Sequence, residues 1–412
     1  MTWISKLLEA TEDAETPRSY IYWAGISVIS AIIAPNVYIN RGGKYLLQPN
    51  TFIFLIGESG LGKGLPLNIA KKLVKIVNST RIIDGSNTIQ SIIYELGNSE
   101  TDLKTGIPKW KDSRGFIVSG EFATLLQDDK LALPALTELY DTHYVGGVEG
   151  EDWNKKTKSS GKDKLIGTCV TLFAGSTSEH FQNTVPEHDV KGGFVGRLLT
   201  VYEEKRYKIN PLSDTKAEKI PFDNLSGWLS VISKLKGPFD WADERTKKYW
   251  EEWYTDIKNP GRKIHDPTGA INRLPDNILK VAMCLSLARQ FEQLVISYED
   301  LEEAIEKCMS LTIDSRRLTG GKGKSQVGEQ VHFVTQVLYR AAVDKERVTK
   351  GMLLRKYYGQ FDLYELDRII STLEAADLVK SIPLQGPPVD VLLEMPENAV
   401  KNIQAFMQKR QL

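Results

Sequence analysis

The sequence predicts an α/β fold with a mostly parallel sheet, then a helical region and a small C-terminal winged helix. Three observations predict it. Short apolar runs alternate with helix-period segments between residues 51 and 202, at the spacing of βαβ units. One run, Ile53-Phe54-Leu55-Ile56, passes through a glycine-rich turn into an amphipathic segment. From about residue 212 the apolar residues fall at helical spacing, and alternation returns only near the C-terminus.

Taken in order, Pro17 opens an apolar helix over 17–34, and 37–47 reads as a hairpin around Arg41-Gly42-Gly43-Lys44. Strand 51–56, turn 57–64 and helix 65–77 form one unit. A strand at 81–83 leads through Asp84-Gly85-Ser86-Asn87-Thr88 into an amphipathic helix, 89–96. Strand 115–119 precedes Glu121, and helix 130–140 follows. Strand 168–174 ends in Gly175-Ser176-Thr177, and a last strand, 198–202, follows Arg197. Helices at 223–235, 241–256, 270–291 and 298–313 read as a lid. Thr319-Gly320-Gly321-Lys322-Gly323-Lys324-Ser325 has linker composition. Helices 327–342, 349–357 and 362–377, with an alternating stretch at 379–394 broken by Gly386-Pro387-Pro388, make a winged helix-turn-helix. The expected domains are 1–211, 212–318 and 326–412, with 319–325 as linker.

Composition narrows the function classes. The 53 basic and 53 acidic residues cancel, so any contact with a polyanion must come from a local patch. Cys169, Cys284 and Cys308 lie far apart in apolar or helical stretches and read as core thiols, which fits a reducing cytoplasm. The five histidines have no ligand spacing, so no zinc site is expected. The start lacks a signal-peptide pattern, and the apolar run 21–34 is too short and too interrupted to span a bilayer. No membrane association is expected.

Gly57-Glu58-Ser59-Gly60-Leu61-Gly62-Lys63-Gly64 matches G-x-x-x-x-G-K, but Gly64 replaces the usual Ser or Thr. Glycines let the backbone curl so that successive N–H groups point at phosphates. The following helix adds its positive end, and Lys63 reaches the terminal phosphates. The missing hydroxyl normally holds Mg²⁺. Phe116-Ile117-Val118-Ser119-Gly120-Glu121 resembles the acidic strand end of P-loop ATPases, with Gly120 where an Asp is usual and Glu121 in the water-activating place. Three readings of the metal stand: phosphates, waters and Glu121 hold it; Asp84, Ser119 or Asp141 supplies an oxygen; or the nucleotide binds and is hydrolysed poorly. Ser176 or Thr177 either orients water beside the γ-phosphate or serves as a strand-end turn and helix cap. Arg197, after Gly192-Gly193 and before a strand, is either an arginine for a neighbour's γ-phosphate or a surface arginine. Arg273 either reaches the phosphates from the lid or begins a solvated helix. The Lys155, Lys156, Lys158, Lys162 and Lys164 insertion, with Trp153 before it, is either a DNA-facing hairpin or a solvated loop. Helix 362–377 carries Asp362, Glu365, Asp367, Glu374 and Asp377 against Arg368, too acidic for a major-groove reader.

The order of these parts resembles AAA+ ATPases of the helicase type. That clade includes minichromosome-maintenance proteins and viral replicative helicases, and the chain looks like the primase-helicase-type ATPases of phages and plasmids. Tyr22-Trp23-Ala24-Gly25, the hairpin, and Gln48-Pro49-Asn50-Thr51 leading into the loop are similar to that family. The resemblance covers about residues 15 to 320. It implies ATP, with Mg²⁺ whose direct protein ligand is unassigned. ATP contacts would fall on Gly57, Glu58, Ser59, Gly60, Gly62, Lys63, Gly64 and Leu65. Glu121 would activate water, Ser176 or Thr177 would be the sensor, Arg197 the trans arginine and Arg273 a second sensor. Lys155 to Lys164 would be a pore hairpin. The implied function is a DNA helicase or translocase, a homo-oligomeric, hexameric ring acting on single-stranded or forked DNA in replication of a phage or other mobile element. A separate primase or initiator protein would be its partner. The alternative is a nucleotide-gated initiator or helicase loader with little hydrolysis.

Overall fold

The computed structural model describes residues 2–42, 45–85, 87–97, 112–122, 132–141, 153–157, 161–185, 193–210, 221–259, 269–319, 326–357, 361–384 and 390–401. The chain divides into two compact units, Met1–Thr319 and Gly320–Leu412.

The first unit begins with α1 (Trp3–Glu9) and α2 (Arg18–Ile33), then a hairpin of β1 (Val37–Arg41) and β2 (Tyr45–Leu47). The α/β part follows as β3 (Phe52–Ile56), α3 (Gly64–Val77), β4 (Ile82–Asp84), α4 (Ile89–Gly97), β5 (Arg114–Ser119) and α5 (Ala132–Asp141). After a hairpin of β6 (Trp153–Thr157) and β7 (Gly161–Leu165) come β8 (Cys169–Ser176), α6 (Ser178–Thr184) and β9 (Leu198–Tyr202). Five strands form one sheet in the order β4-β5-β8-β3-β9, and every pairing is parallel.

The continuous apolar run of β3 follows from burial on both faces. Ile53 and Leu55 join the core built with α2 and α3, while Phe52, Phe54 and Ile56 join the core on the other face with α4 and α5. Each such side chain contributes about 1.5–3 kcal/mol when fully buried. The chain runs from β3 across β8 and β5 to β4, then returns past β3 to β9. The carboxyl ends of β3 and β8 therefore lie where the strand order reverses, the usual place for a ligand crevice.

The remainder of this unit is helical, with α7 (Phe222–Ile232), α8 (Glu244–Ile257), α9 (Ala270–Arg289) and α10 (Tyr298–Thr319). Three two-residue strands tie it down: β10 (Gly237–Pro238) pairs with β1, and β11 (Asp240–Trp241) with β12 (Val295–Ile296). α10 runs to Thr319, past the expected end at 313, and residues 320–325 of the expected linker lie outside the described residues.

The second unit contains α11 (Gln326–Asp344), β13 (Val348–Thr349), α12 (Lys350–Tyr357), α13 (Leu363–Ala375), β14 (Lys380–Pro383) and β15 (Val391–Glu394). Its three strands pair antiparallel in the order β13-β15-β14 over a core that includes Val334, Leu338, Leu366, Ile369 and Leu373. Asp362 caps α13 through a reciprocal bond with Glu365. Gly386-Pro387-Pro388 lies outside the described residues. Among the described residues no helix is long and apolar enough to cross a membrane, and all three cysteines are buried.

Candidate functional site

The turn from β3 to α3 is built on close backbone approach. A Cβ at Gly57 would stand 2.6 Å from Leu61 Cδ2 and from Tyr20 Oη, and 2.8 Å from the Glu203 carbonyl oxygen. Gly62 has φ +86°, and a Cβ there would meet Thr16 Oγ1 at 2.6 Å. Neighbouring segments hold the turn from outside. The buried Tyr20 hydroxyl donates to the Ile56 carbonyl at 2.7 Å, and Thr16 Oγ1 donates to the Gly62 carbonyl at 3.1 Å. Arg206 pairs with Glu15 and donates to the Gly60 carbonyl at 3.1 Å. Glu58 and Ser59 sit exposed on the turn, and Leu65 N–H bonds the Gly62 carbonyl at 3.3 Å in the first turn of α3. Lys63 Nζ donates to the Gly57 and Glu58 carbonyls at 2.6 and 2.8 Å. An ammonium curled over its own loop, beside the N-terminus of a 14-residue helix, fits an anion placed within the curl.

The ends of β5 and β8 close on the same place. A Cβ at Gly175 would lie 3.0 Å from the Gly120 carbonyl oxygen and 3.7 Å from Lys63 Cβ. Burial lowers the Lys63 amine from its usual range, and the nearby carboxylates of Glu121 and Glu58 oppose that shift. Glu121 also lies 3.6 Å from His180 Nδ1. Ser176 is buried, and its Oγ has no hydrogen-bond partner among the described residues. The Thr177 hydroxyl caps α6 by accepting the His180 N–H at 3.1 Å, so of the two strand-end hydroxyls Ser176 is the uncommitted one.

Both glycine departures are open in space. Nothing lies within 4 Å of a Cβ at Gly64 or Gly120, and neither backbone is left-handed. Of the oxygens nominated for Mg²⁺, those of Ser119, Asp84 and Asp141 are engaged elsewhere, while Glu121 stands beside Lys63. Ser119 Oγ donates to the Glu121 carbonyl at 2.9 Å, Asp84 pairs with Lys71 at 2.8 Å, and Asp141 accepts two arginines. Among the described residues no three His, Cys, Asp or Glu side chains cluster as a metal site. The loop thus fits phosphate, and among the described residues Ser119, Asp84 and Asp141 are each already engaged.

The two nominated arginines meet at the other end of the sheet. Arg197 is buried; its Nε donates to Asp141 Oδ2 at 3.1 Å and its Nη1 to the Gly193 carbonyl at 2.7 Å. Arg273 Nη1 donates to Asp141 Oδ1 at 3.0 Å. Phe52 is level with Leu198 and Ile56 with Tyr202, so Arg197 lies before the start of β3's neighbour while the loop follows the far end. A five-residue strand separates the two ends, about 17 Å at roughly 3.3 Å per residue. The structure therefore does not bring Arg273 to the loop of its own chain. α9 meets this end of the sheet partly through Tyr140 Oη, which donates to Asn277 Oδ1 at 2.7 Å.

The lysine-rich insertion is the β6–β7 hairpin, in which Lys155 is level with Asp163 and Lys156 with Lys162. Lys164 is on β7, and Lys158 lies outside the described residues. Sequence reasoning missed Thr16, Tyr20, His180 and Arg206, whose contacts with the loop region are long-range and leave no local pattern. The chain matches no protein-family model and no curated protein.

Proposed function

We propose that this chain is an ATPase whose active site is shared between copies in a ring, and that it works as a DNA helicase or translocase in replication of a phage or other mobile element. One observation carries this reading. Lys63, Ser176 and Glu121 gather where β3, β8 and β5 end, whereas Arg197 and Arg273 sit together at the opposite end of the strands. A chain with the phosphate cradle at one end of its sheet and paired guanidiniums at the other is suited to head-to-tail assembly, which closes into a ring when the rotation allows.

In this reading the ATP phosphates lie against the N–H groups of residues 57–65. Lys63 exchanges its two loop carbonyls for phosphate oxygens. Glu121 accepts a proton from the attacking water, with Ser176 placing that water and His180 standing beside the carboxylate. Arg197, with Arg273, meets the charge that develops on the neighbour's γ-phosphate. Mg²⁺ supplies charge neutralisation when bound with the nucleotide. The β6–β7 hairpin carries the lysines for single-stranded or forked DNA. Helices 222–319 serve as the lid. The second unit, three helices with a small antiparallel sheet, is a winged helix whose acidic α13 suits contact with a separate primase or initiator protein.

A second reading, a nucleotide-gated initiator or loader with little hydrolysis, is favoured by Gly64 and Gly120 together with the engagement of Ser119, Asp84 and Asp141. Phosphate release from ATP, with and without single-stranded DNA, separates the two. The motor reading expects DNA-stimulated release that is lost in Glu121→Gln and Arg197→Ala. ATP binding without release supports the gated scaffold.

A further inference from the structure

Arg273, Asn277 and Lys280 recur at helical spacing on α9, and each meets the end of α5 or the segment leading into β3. Lys280 is buried. Its Nζ donates to Asn50 Oδ1 at 2.9 Å and stands 3.8 Å from the centre of the Tyr140 ring. Asn50 Nδ2 in turn donates to the Tyr140 and Val170 carbonyls, both at 3.2 Å. The next residue after Tyr140 is Asp141, which receives Arg197 and Arg273.

A lysine here is costly. Removing an ammonium from water costs several kcal/mol, and among the described residues Lys280 forms no ion pair. A leucine or methionine would fill the space without that penalty. What the cation supplies is a directed bond to Asn50, a face-on contact with Tyr140 and a favourable charge near the C-terminal end of α5. We propose that Lys280 is a positioning residue: it clamps the Tyr140–Asp141 end of α5 to the segment that starts β3, and so fixes the arginine pair relative to the strand bearing the phosphate loop. This rests on the shared-site ATPase reading. The clamp means that a copy whose loop is occupied presents its arginines to the next copy in a set place.

Burial lowers the Lys280 amine to about 8. The charged or titratable groups facing it are Cys169 on β8, Tyr140 and Asp141 on α5, and Asp276, Arg273 and Cys284 on its own helix. The folded value lies below the unfolded one, so the unfolded chain holds more protons between about 8 and 10.4. Loss of the Lys280 proton therefore favours folding while it removes the charge from the Tyr140 face and the end of α5, leaving the clamp only a weaker N–H bond to Asn50. Turnover should fall as pH rises through about 8, without a matching loss of fold stability from this group.

The test is a pH profile of ATP turnover, run with binding of a fluorescent ATP analogue and thermal melting, on wild-type protein and Lys280→Met. The clamp predicts a wild-type alkaline limb near pH 8 that Lys280→Met lacks. It also predicts turnover in the variant reduced on the order of 10-fold to 100-fold with analogue affinity retained. Should Lys280→Met fail to fold, the wild-type profile alone decides: turnover and analogue binding falling together, or no alkaline limb, overturns the proposal. Equal rates and equal profiles in the two proteins also overturn it. No phosphate release from wild type at any pH removes the ATPase reading and this inference with it.

Discussion

Arg197 and Arg273 reach one carboxylate from different elements, at 3.1 and 3.0 Å from the two oxygens of Asp141. Two guanidiniums on one carboxylate leave a net positive charge, and Arg273 remains partly exposed there while Arg197 is buried. Asp141 thus holds the pair together, and the register of β9 on β3 sets that place far from the chain's own loop.

The Asp141 carboxylate gives a pH signature. Burial alone raises it, but the hydrogen bond and charge of Arg197, then of Arg273, bring it below its usual range. A folded value below the unfolded one means that its stabilisation is present above about pH 4 and is lost as pH falls through the folded value. Asp141→Asn should lower Tm at pH 7, and the difference from wild type should shrink by pH 3. A difference that stays constant over that range contradicts the assignment.

At Gly57 the close contacts with Tyr20, Leu61 and Glu203 predict intolerance of even one carbon. Gly57→Ala should destabilise the fold by about 1–3 kcal/mol and weaken nucleotide binding. Denaturant melts and analogue titration check both effects.

Gly64 and Gly120 should behave in the opposite way, because each has open space around it. Gly64→Thr with Gly120→Asp supplies the hydroxyl and carboxylate that hold Mg²⁺ in phosphate loops of the usual pattern. The double variant should melt within about 1 kcal/mol of wild type and gain Mg²⁺-dependent ATP affinity. Isothermal titration with and without Mg²⁺ measures this.

DNA contact through the β6–β7 hairpin predicts a change in salt dependence. Lys155→Ala and Lys156→Ala should each reduce the slope of log K against log salt for single-stranded DNA by roughly 0.7. Arg368→Ala on the acidic α13 should leave the slope unchanged. Equal slopes in all variants count against the hairpin.

Much of the α/β part was legible because parallel strands buried on both faces are continuous apolar runs, as in 53–56, 116–118 and 169–174. Lys63 and Glu121 were legible because each follows such a run. Arg273 was nominated, but its place was not legible: its neighbours in sequence read as a helix start, and long-range contacts such as Tyr140–Asn277 and the shared Asp141 decide where that helix lies. Lys280 left no signal, since a single lysine in an apolar helix has no period. α1 and α6 are seven residues each, too short to show helical spacing.

The shared site is tested most directly by mixing subunits. Lys63→Ala and Arg197→Ala proteins should each be inactive alone. Mixed, some interfaces pair an intact Lys63 and Glu121 with an intact Arg197 from the next copy, and ATP turnover should reappear. Turnover in the mixture no greater than in either variant alone, with mixed assembly demonstrated, would contradict a site completed by two copies.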